Sequence, residues 1–192
     1  RQHVKVVQGD CDELPVPDYS RTDEYRLDGG RLTRVEAPPG AEAPIMFTGS
    51  RGCAFHCNYC SNAKLKQLFA GAGRYVRKIS VRKFVEQAAA LKKVPPEAKR
   101  FYLVDEDFMS RSTEELREFS VAFPAKVGLP FECMASPAMV TEEKMNLLVK
   151  AGLRQLDLGV ESGSDRTKRE IYNRPIPNAT VMRAATIVNK FP

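Results

Sequence analysis

The chain has 192 residues, 43% of them hydrophobic and 28% charged, and its 30 lysines and arginines outnumber its 24 aspartates and glutamates for a formal charge of +6. This composition excludes a disordered chain, no run approaches the ~18 consecutive apolar residues of a membrane span, and the N-terminus lacks the unbroken apolar core of a signal peptide. A cytoplasmic protein of one substantial domain or two small ones is the expectation. The basic residues are scattered, with a mild concentration from Lys64 to Lys83. They read as a solvated face, with help to an anionic substrate as the alternative, and neither a membrane nor a nucleic acid is an expected partner.

Residues 1 to 43 are rich in proline, glycine and charge, as in "DELPVPDYSRTDEYRLDGG" and "EAPPGAEAP", and read as an interdomain linker. One short strand-like run, "HVKVV", lies in it, and a hairpin around Asp28-Gly29-Gly30 is predicted. The chain begins at Arg1 instead of Met, which reads as a fragment. From Pro44 the pattern changes to apolar strands alternating with amphipathic helices. "PIMFTGS" is the first strand, and "SVRKFVEQAAALKKV" is a helix whose Phe84, Val85, Ala88 and Leu91 recur at helical spacing.

"KRFYLVDED" is the second strand, followed by a helix opened by the capping-box pair Ser112 and Glu115. "PFECMAS" is the third, with a helix from Thr141 to Lys150 closed by Gly152. "LRQLDLGVES" is the fourth, followed by helical "SDRTKREIYN" and a last helix "ATVMRAATIVNKF". Four strand-helix units imply an α/β fold with a parallel sheet, either open and doubly wound or part of a barrel. In the fourth strand Leu156, Leu158 and Val160 alternate with Asp157, Gly159 and Glu161. The leucines suit a helix layer, so the carboxylates are expected to face a polar ligand space that Glu132 and Thr48 also line, unless the strand is an edge facing water.

Chemistry concentrates in "GSRGCAFHCNYCSN", where Cys53, Cys57 and Cys60 are spaced C-x3-C-x2-C directly after the first strand. Of the other two cysteines, Cys11 reads as a surface thiol and Cys133 as a small core residue; five cysteines, three of them crowded, are no disulfide framework. Zinc usually wants four protein ligands, and His56 is strained as a fourth beside its neighbour Cys57. A cubane iron-sulfur cluster held by three thiolates leaves one iron open to a substrate or cofactor.

The C-x3-C-x2-C loop, with Tyr59 just before its third cysteine, resembles the signature of the radical S-adenosylmethionine enzymes. "LVDEDFM" resembles the acidic motif at the end of their second strand, and "GVESGSDRTKREIYNRP" resembles the fourth-strand segment of the group with an N-terminal cobalamin-binding domain. "CDELPVPDYS" looks like the linker between those two domains. The resemblance implies a partial (β/α) barrel, with a linker over residues 1–43 and a radical core over 44–192 that stops before the fifth of six strands. It implies a 4Fe-4S cluster on Cys53, Cys57 and Cys60 that reductively cleaves S-adenosylmethionine to a deoxyadenosyl radical, for cobalamin-linked methyl transfer or rearrangement.

In the same terms, Tyr59 lies near the adenine, Asp105 and Glu106 receive the cofactor's ammonium, Glu161 and Ser162 take the ribose hydroxyls, and Arg174 is a candidate for its carboxylate. An electron donor such as flavodoxin or ferredoxin is implied, with a small-molecule substrate and, through an upstream domain, cobalamin. Plainer roles compete: Asp105, Glu106 and Asp107 as helix caps, Glu161 in a buried salt bridge, and Arg174 as a structural residue. Related sequences often carry an arginine soon after the third strand, where this chain reads "MASPAM". A methylthiotransferase acting on transfer RNA is a second reading, disfavoured because Glu161 stands where its glutamine would; a non-catalytic iron-sulfur electron-transfer module is a third.

Overall fold

Alternation of small strands and amphipathic helices dictates the architecture. The computed structural model describes residues 10–18, 25–34, 43–93 and 98–191. The run "HVKVV" lies outside them. Strands β1 (Tyr25–Asp28) and β2 (Arg31–Arg34) pair antiparallel as the expected hairpin, and Gly29 and Gly30 supply the positive φ angles, 54° and 81°, that its two-residue turn requires.

The main sheet is four parallel strands in the order β3 (Ile45–Phe47), β6 (Phe101–Leu103), β7 (Phe131–Ala135) and β8 (Leu153–Leu158). Between β3 and β6 lie a short antiparallel pair, β4 (Ser50–Arg51) with β5 (Arg77–Lys78), and the helices α1 (Ser61–Leu68) and α2 (Val81–Leu91). Helices α3 (Thr113–Lys126), α4 (Glu142–Ala151) and α5 (Asn178–Val188) follow β6, β7 and β8 in turn.

One face of each strand is sealed by this helix layer and the other is not. Ile45, Phe47, Phe101, Leu103, Phe131, Cys133 and Ala135 are buried, while the alternate Met46, Tyr102, Glu132 and Met134 are exposed or half-buried. Helices on one face only are the arrangement of a barrel wall; a doubly wound sheet covers both. The sealed face is a phenylalanine cluster in which Phe119 stacks on Phe123 at 4.7 Å and meets Phe84, Phe108 and Phe131 edge-on. Into it reaches Arg111, 2% exposed, satisfied by the carbonyls of Ile79 and Gly49 at 3.2 Å each and lying over the rings of Phe84 and Phe108.

The helix ends follow the sequence signals. Ser112 Oγ accepts from the Glu115 amide while Glu115 Oε2 accepts from the Ser112 amide, closing the capping box. Thr141 caps α4, and Gly152 ends it at a φ of 107°. Two expectations fail. The "SDRTKREIYN" segment forms only a short π-helical turn, Thr167–Ile171, and α1 follows the cysteines unannounced. Cys11 is not a surface thiol: it is 5% exposed, because the segment from Asp10 docks on the barrel wall, where Asp12 accepts from the Ser80 amide and Gln87 donates to the Leu14 carbonyl. Cys133 is a core residue as expected, fully buried.

Candidate cofactor site

The short β4–β5 pair closes the base of an excursion, residues 52 to 76, that holds the three cysteines and α1. Gly52 is required at its start: φ is 81°, and a Cβ there would lie 2.7 Å from the Tyr75 carbonyl. Within the loop the Cys60 amide donates to the Cys57 carbonyl, and Cys60 then caps α1, so its sulfur sits at a helix N-terminus where negative charge is favoured. Lys66, one turn into α1, folds back and donates to the carbonyls of Ala54 and Phe55 at 2.8 and 2.9 Å. None of the three cysteines is in a disulfide.

All three line one cavity of about 300 Å³, whose other walls come from the ends of β6, β7 and β8. Tyr59, Glu106, Glu161 and Arg174 line it too. The structure thus brings four of the six proposed cofactor residues to the cysteines. Asp105 is placed elsewhere: it is 1% exposed, shares the buried side of Phe101 and Leu103, and accepts from the Gly49 amide at 3.1 Å. Ser162 is not in the lining, and its hydroxyl accepts from the Ser164 amide. Thr48 lines a separate hollow beside Cys11, and Glu132 pairs with Arg100 at 2.9 Å.

Glu161 reaches the cavity by a different route from the one strand parity suggested. Strand β8 ends at Leu158, Val160 is 37% exposed, and Glu161 adopts a left-handed φ of 64° that turns its carboxylate back over Gly159. A Cβ at Gly159 would lie 2.8 Å from Glu161 Oε1 and 3.2 Å from Arg174 Nη2, so the glycine makes room for both. Asp157, on the open face of the sheet as parity required, lines the cavity and accepts from the Tyr102 hydroxyl.

Sequence reasoning missed two residues of this cavity. Asp107 is 7% exposed, and neither carboxylate oxygen has a well-formed hydrogen bond. Burial pushes its carboxyl up to about 6, against the opposing pull of the nearby Ser136 amide, Lys144 and Arg174. Ser136, at the end of β7, has a buried hydroxyl that is also unpartnered. Arg174 donates through Nη1 to Cys57 Sγ at 3.4 Å and through Nη2 to the Gly159 carbonyl at 3.0 Å, while its buried Nε makes no bond. Burial also raises the Cys53 thiol, opposed by the Phe55 amide and Lys66, and it raises the Tyr59 phenol with help from Cys57. Apo Cys53 is therefore a neutral thiol that must lose its proton to a metal.

The donor set fits an iron-sulfur cluster. Among the described residues no three His, Cys, Asp or Glu side chains close around a single ion, yet three sulfurs share one cavity wall, as ligands to separate corners of a polynuclear cluster do.

The fold and this loop define a radical-type barrel, and the chain belongs to the Radical SAM superfamily, whose family profile matches residues 47–191. Among curated proteins the chain is 25% identical over 170 residues to cytidylyl-2-hydroxyethylphosphonate methyltransferase of Streptomyces wedmorensis, covering 88% of this chain and 30% of that one. Among solved structures it is similar in fold to the radical S-adenosylmethionine methyltransferase TsrM of Kitasatospora setae. The form with cobalamin and a [4Fe-4S] cluster bound has a TM-score of 0.62 at 16% identity, covering 78% of this chain and 29% of TsrM. The form with tryptophan and aza-SAM bound has a TM-score of 0.60 at 16% identity, covering 76% and 28%. The chain thus spans about 30% of the length of the relatives it matches. Among the described residues no helix is long and apolar enough to cross a membrane.

Proposed function

We propose that Cys53, Cys57 and Cys60 hold a 4Fe-4S cluster and that S-adenosylmethionine binds beside it in the same cavity, within a radical methyltransferase. One observation carries this reading: the cavity that gathers the three sulfurs also holds a buried carboxylate (Asp107), a buried hydroxyl (Ser136) and a buried guanidinium nitrogen (Arg174 Nε), all without partners. Buried polar groups are almost always paired, so this trio calls for a ligand, and an anion and a cation together match a zwitterionic amino-acid moiety. When bound, the cluster supplies one electron to the sulfonium, which yields methionine and a deoxyadenosyl radical.

The chain's own residues bind and orient. Asp107 receives the ammonium in place of Asp105, with Glu106 at the rim; Arg174 Nε receives the carboxylate; and Glu161, turned inward by its left-handed backbone, takes the ribose hydroxyls. Tyr59, held edge-on to Tyr172 with ring centroids 5.0 Å apart, offers an apolar edge to the adenine.

Methyl transfer is favoured over rearrangement because the similar proteins are named methyltransferases. Cobalamin then enters through a domain upstream of a linker spanning residues 1–43, with 44–192 as radical core, a flavodoxin or ferredoxin as electron source, a small molecule as substrate, and the cytoplasm as setting. The protein that carries this chain, reconstituted anaerobically with iron and sulfide and reduced, is expected to convert S-adenosylmethionine to methionine and deoxyadenosine only while all three cysteines are intact. Cluster loading without binding of S-adenosylmethionine would favour an electron-transfer module.

A further inference from the structure

The π-helical turn after β8 and the residues that follow it have a job that cofactor binding does not account for. Four hydrogen bonds tie Ile171–Arg174 to the cysteine loop more than 110 residues earlier. The Asn58 amide donates to the Tyr172 carbonyl at 2.9 Å, Asn58 Nδ2 donates to the Ile171 carbonyl at 3.0 Å, Asn173 Nδ2 donates to the His56 carbonyl at 3.0 Å, and Arg174 donates to Cys57 Sγ. Asn173 holds a left-handed φ of 48° to make its contact, and Asn is among the few side-chain-bearing residues that adopt this readily.

The latch delivers a cation to one sulfur. Arg174 is 8% exposed and Cys57 is 5% exposed, so their contact is shielded from water; Cys53 and Cys60 are only half-buried, and the one side-chain bond to Cys60 Sγ is a neutral 3.8 Å contact from Asn62. The guanidinium is pinned from two more sides, by the Gly159 carbonyl and by the Phe55 ring, 5.3 Å from its centre.

We propose that Arg174 is a positioning residue that sets the reduction potential of the cluster ligated by Cys57, an inference that rests on the cluster reading above. The couple is [4Fe-4S]2+ plus one electron to [4Fe-4S]1+, with the electron supplied by an external one-electron reductant and no bond made or broken. Reduction adds negative charge that spreads onto the cysteine sulfurs. A charged N–H···S bond in a dry site stabilises that added charge more than it stabilises the oxidised form, so it raises the potential. Nη1 serves this purpose while Nε remains for the cofactor.

The test is an EPR-monitored redox titration, without S-adenosylmethionine, of the reconstituted protein that carries this chain, as wild type, Arg174→Gln, Arg174→Lys and Asn173→Gly. Loss of the charged bond in Arg174→Gln is expected to cut the reduced-to-oxidised ratio at a fixed potential by about tenfold, a midpoint about 59 mV more negative for a one-electron couple. Arg174→Lys, which keeps the charge without the planar fork, falls between. Asn173→Gly loosens the latch without changing charge and keeps the wild-type midpoint. Fully loaded Arg174→Gln with an unchanged midpoint overturns the proposal. If that variant cannot hold a cluster, Arg174→Lys decides: a lowered midpoint supports the proposal and a wild-type one overturns it. An equal drop in Asn173→Gly also overturns it, because loop order would then be the cause. Wild-type protein that takes up no iron overturns the cluster reading itself.

Discussion

Replacing Asp107 with Asn removes a charge that the apo protein holds in a buried site with no well-formed hydrogen bond. Burial lifts the Asp107 carboxyl from its ordinary 3.8 to about 6, so the folded protein binds this proton more tightly than the unfolded chain. The sign follows: the stability linked to this proton is fully present below about pH 4 and is lost as pH rises through 6. Two units at 1.36 kcal/mol each put the cost of the ionised group at about 3 kcal/mol at pH 7.5. Asn has the same shape and no charge, so Asp107→Asn should be more stable than wild type by about 3 kcal/mol at pH 7.5 and nearly equal to it at pH 4. With a urea slope of ~2 kcal/mol/M, the midpoint of unfolding rises by about 1.5 M at the higher pH. The same change should weaken S-adenosylmethionine binding, because the neutral amide cannot balance an ammonium; wild-type affinity should itself decline as pH falls below 6, and the variant's should not. Urea titrations of metal-free protein at the two pH values decide the first half. A variant no more stable than wild type at pH 7.5, or a difference independent of pH, would refute the reasoning.

Cys53→Ala, Cys57→Ala and Cys60→Ala should each abolish the iron and sulfide content of reconstituted protein, while Cys11→Ala and Cys133→Ala, buried away from the cavity, should leave it intact. Glu161→Ala should raise the dissociation constant for S-adenosylmethionine about tenfold, the loss of a charged hydrogen bond of about 1.5 kcal/mol, with the cluster retained; calorimetry of both forms checks it. Phe119→Ala should cost about 3–5 kcal/mol by chemical denaturation, because its ring is 1% exposed and packs against four other phenylalanines of the core.

Most of the fold was legible because its signals are local. The capping box at Ser112 and Glu115, the left-handed Gly152 and the helical spacing of Phe84, Val85, Ala88 and Leu91 each act within a few residues and all appear in the structure. The cysteine loop was legible for the same reason. Helix α1 was not: its sequence "SNAKLKQL" has little apolar periodicity, and its placement depends on the cysteine turn before it and on Lys66 folding back to the loop carbonyls.

The acidic motif shows how a family likeness can override physics already in hand. Period-two alternation puts Asp105 on the face of Phe101 and Leu103, against the helices, and the structure keeps it there, leaving Glu106 and Asp107 for the cavity. At Glu161 the expected side was reached because a backbone turn replaced the strand, which no alternation pattern encodes. The bond from Arg174 to Cys57 joins residues 117 apart, and only the folded chain shows that pairing.

The central claim is that the three cysteines hold a cluster with one iron left open to S-adenosylmethionine. It is tested most directly by the EPR spectrum of the reduced, reconstituted protein before and after that cofactor is added. One 4Fe-4S cluster per chain, with g-values that shift when S-adenosylmethionine binds, is the predicted result. One zinc per chain without iron, or a cluster spectrum indifferent to the cofactor, would contradict it.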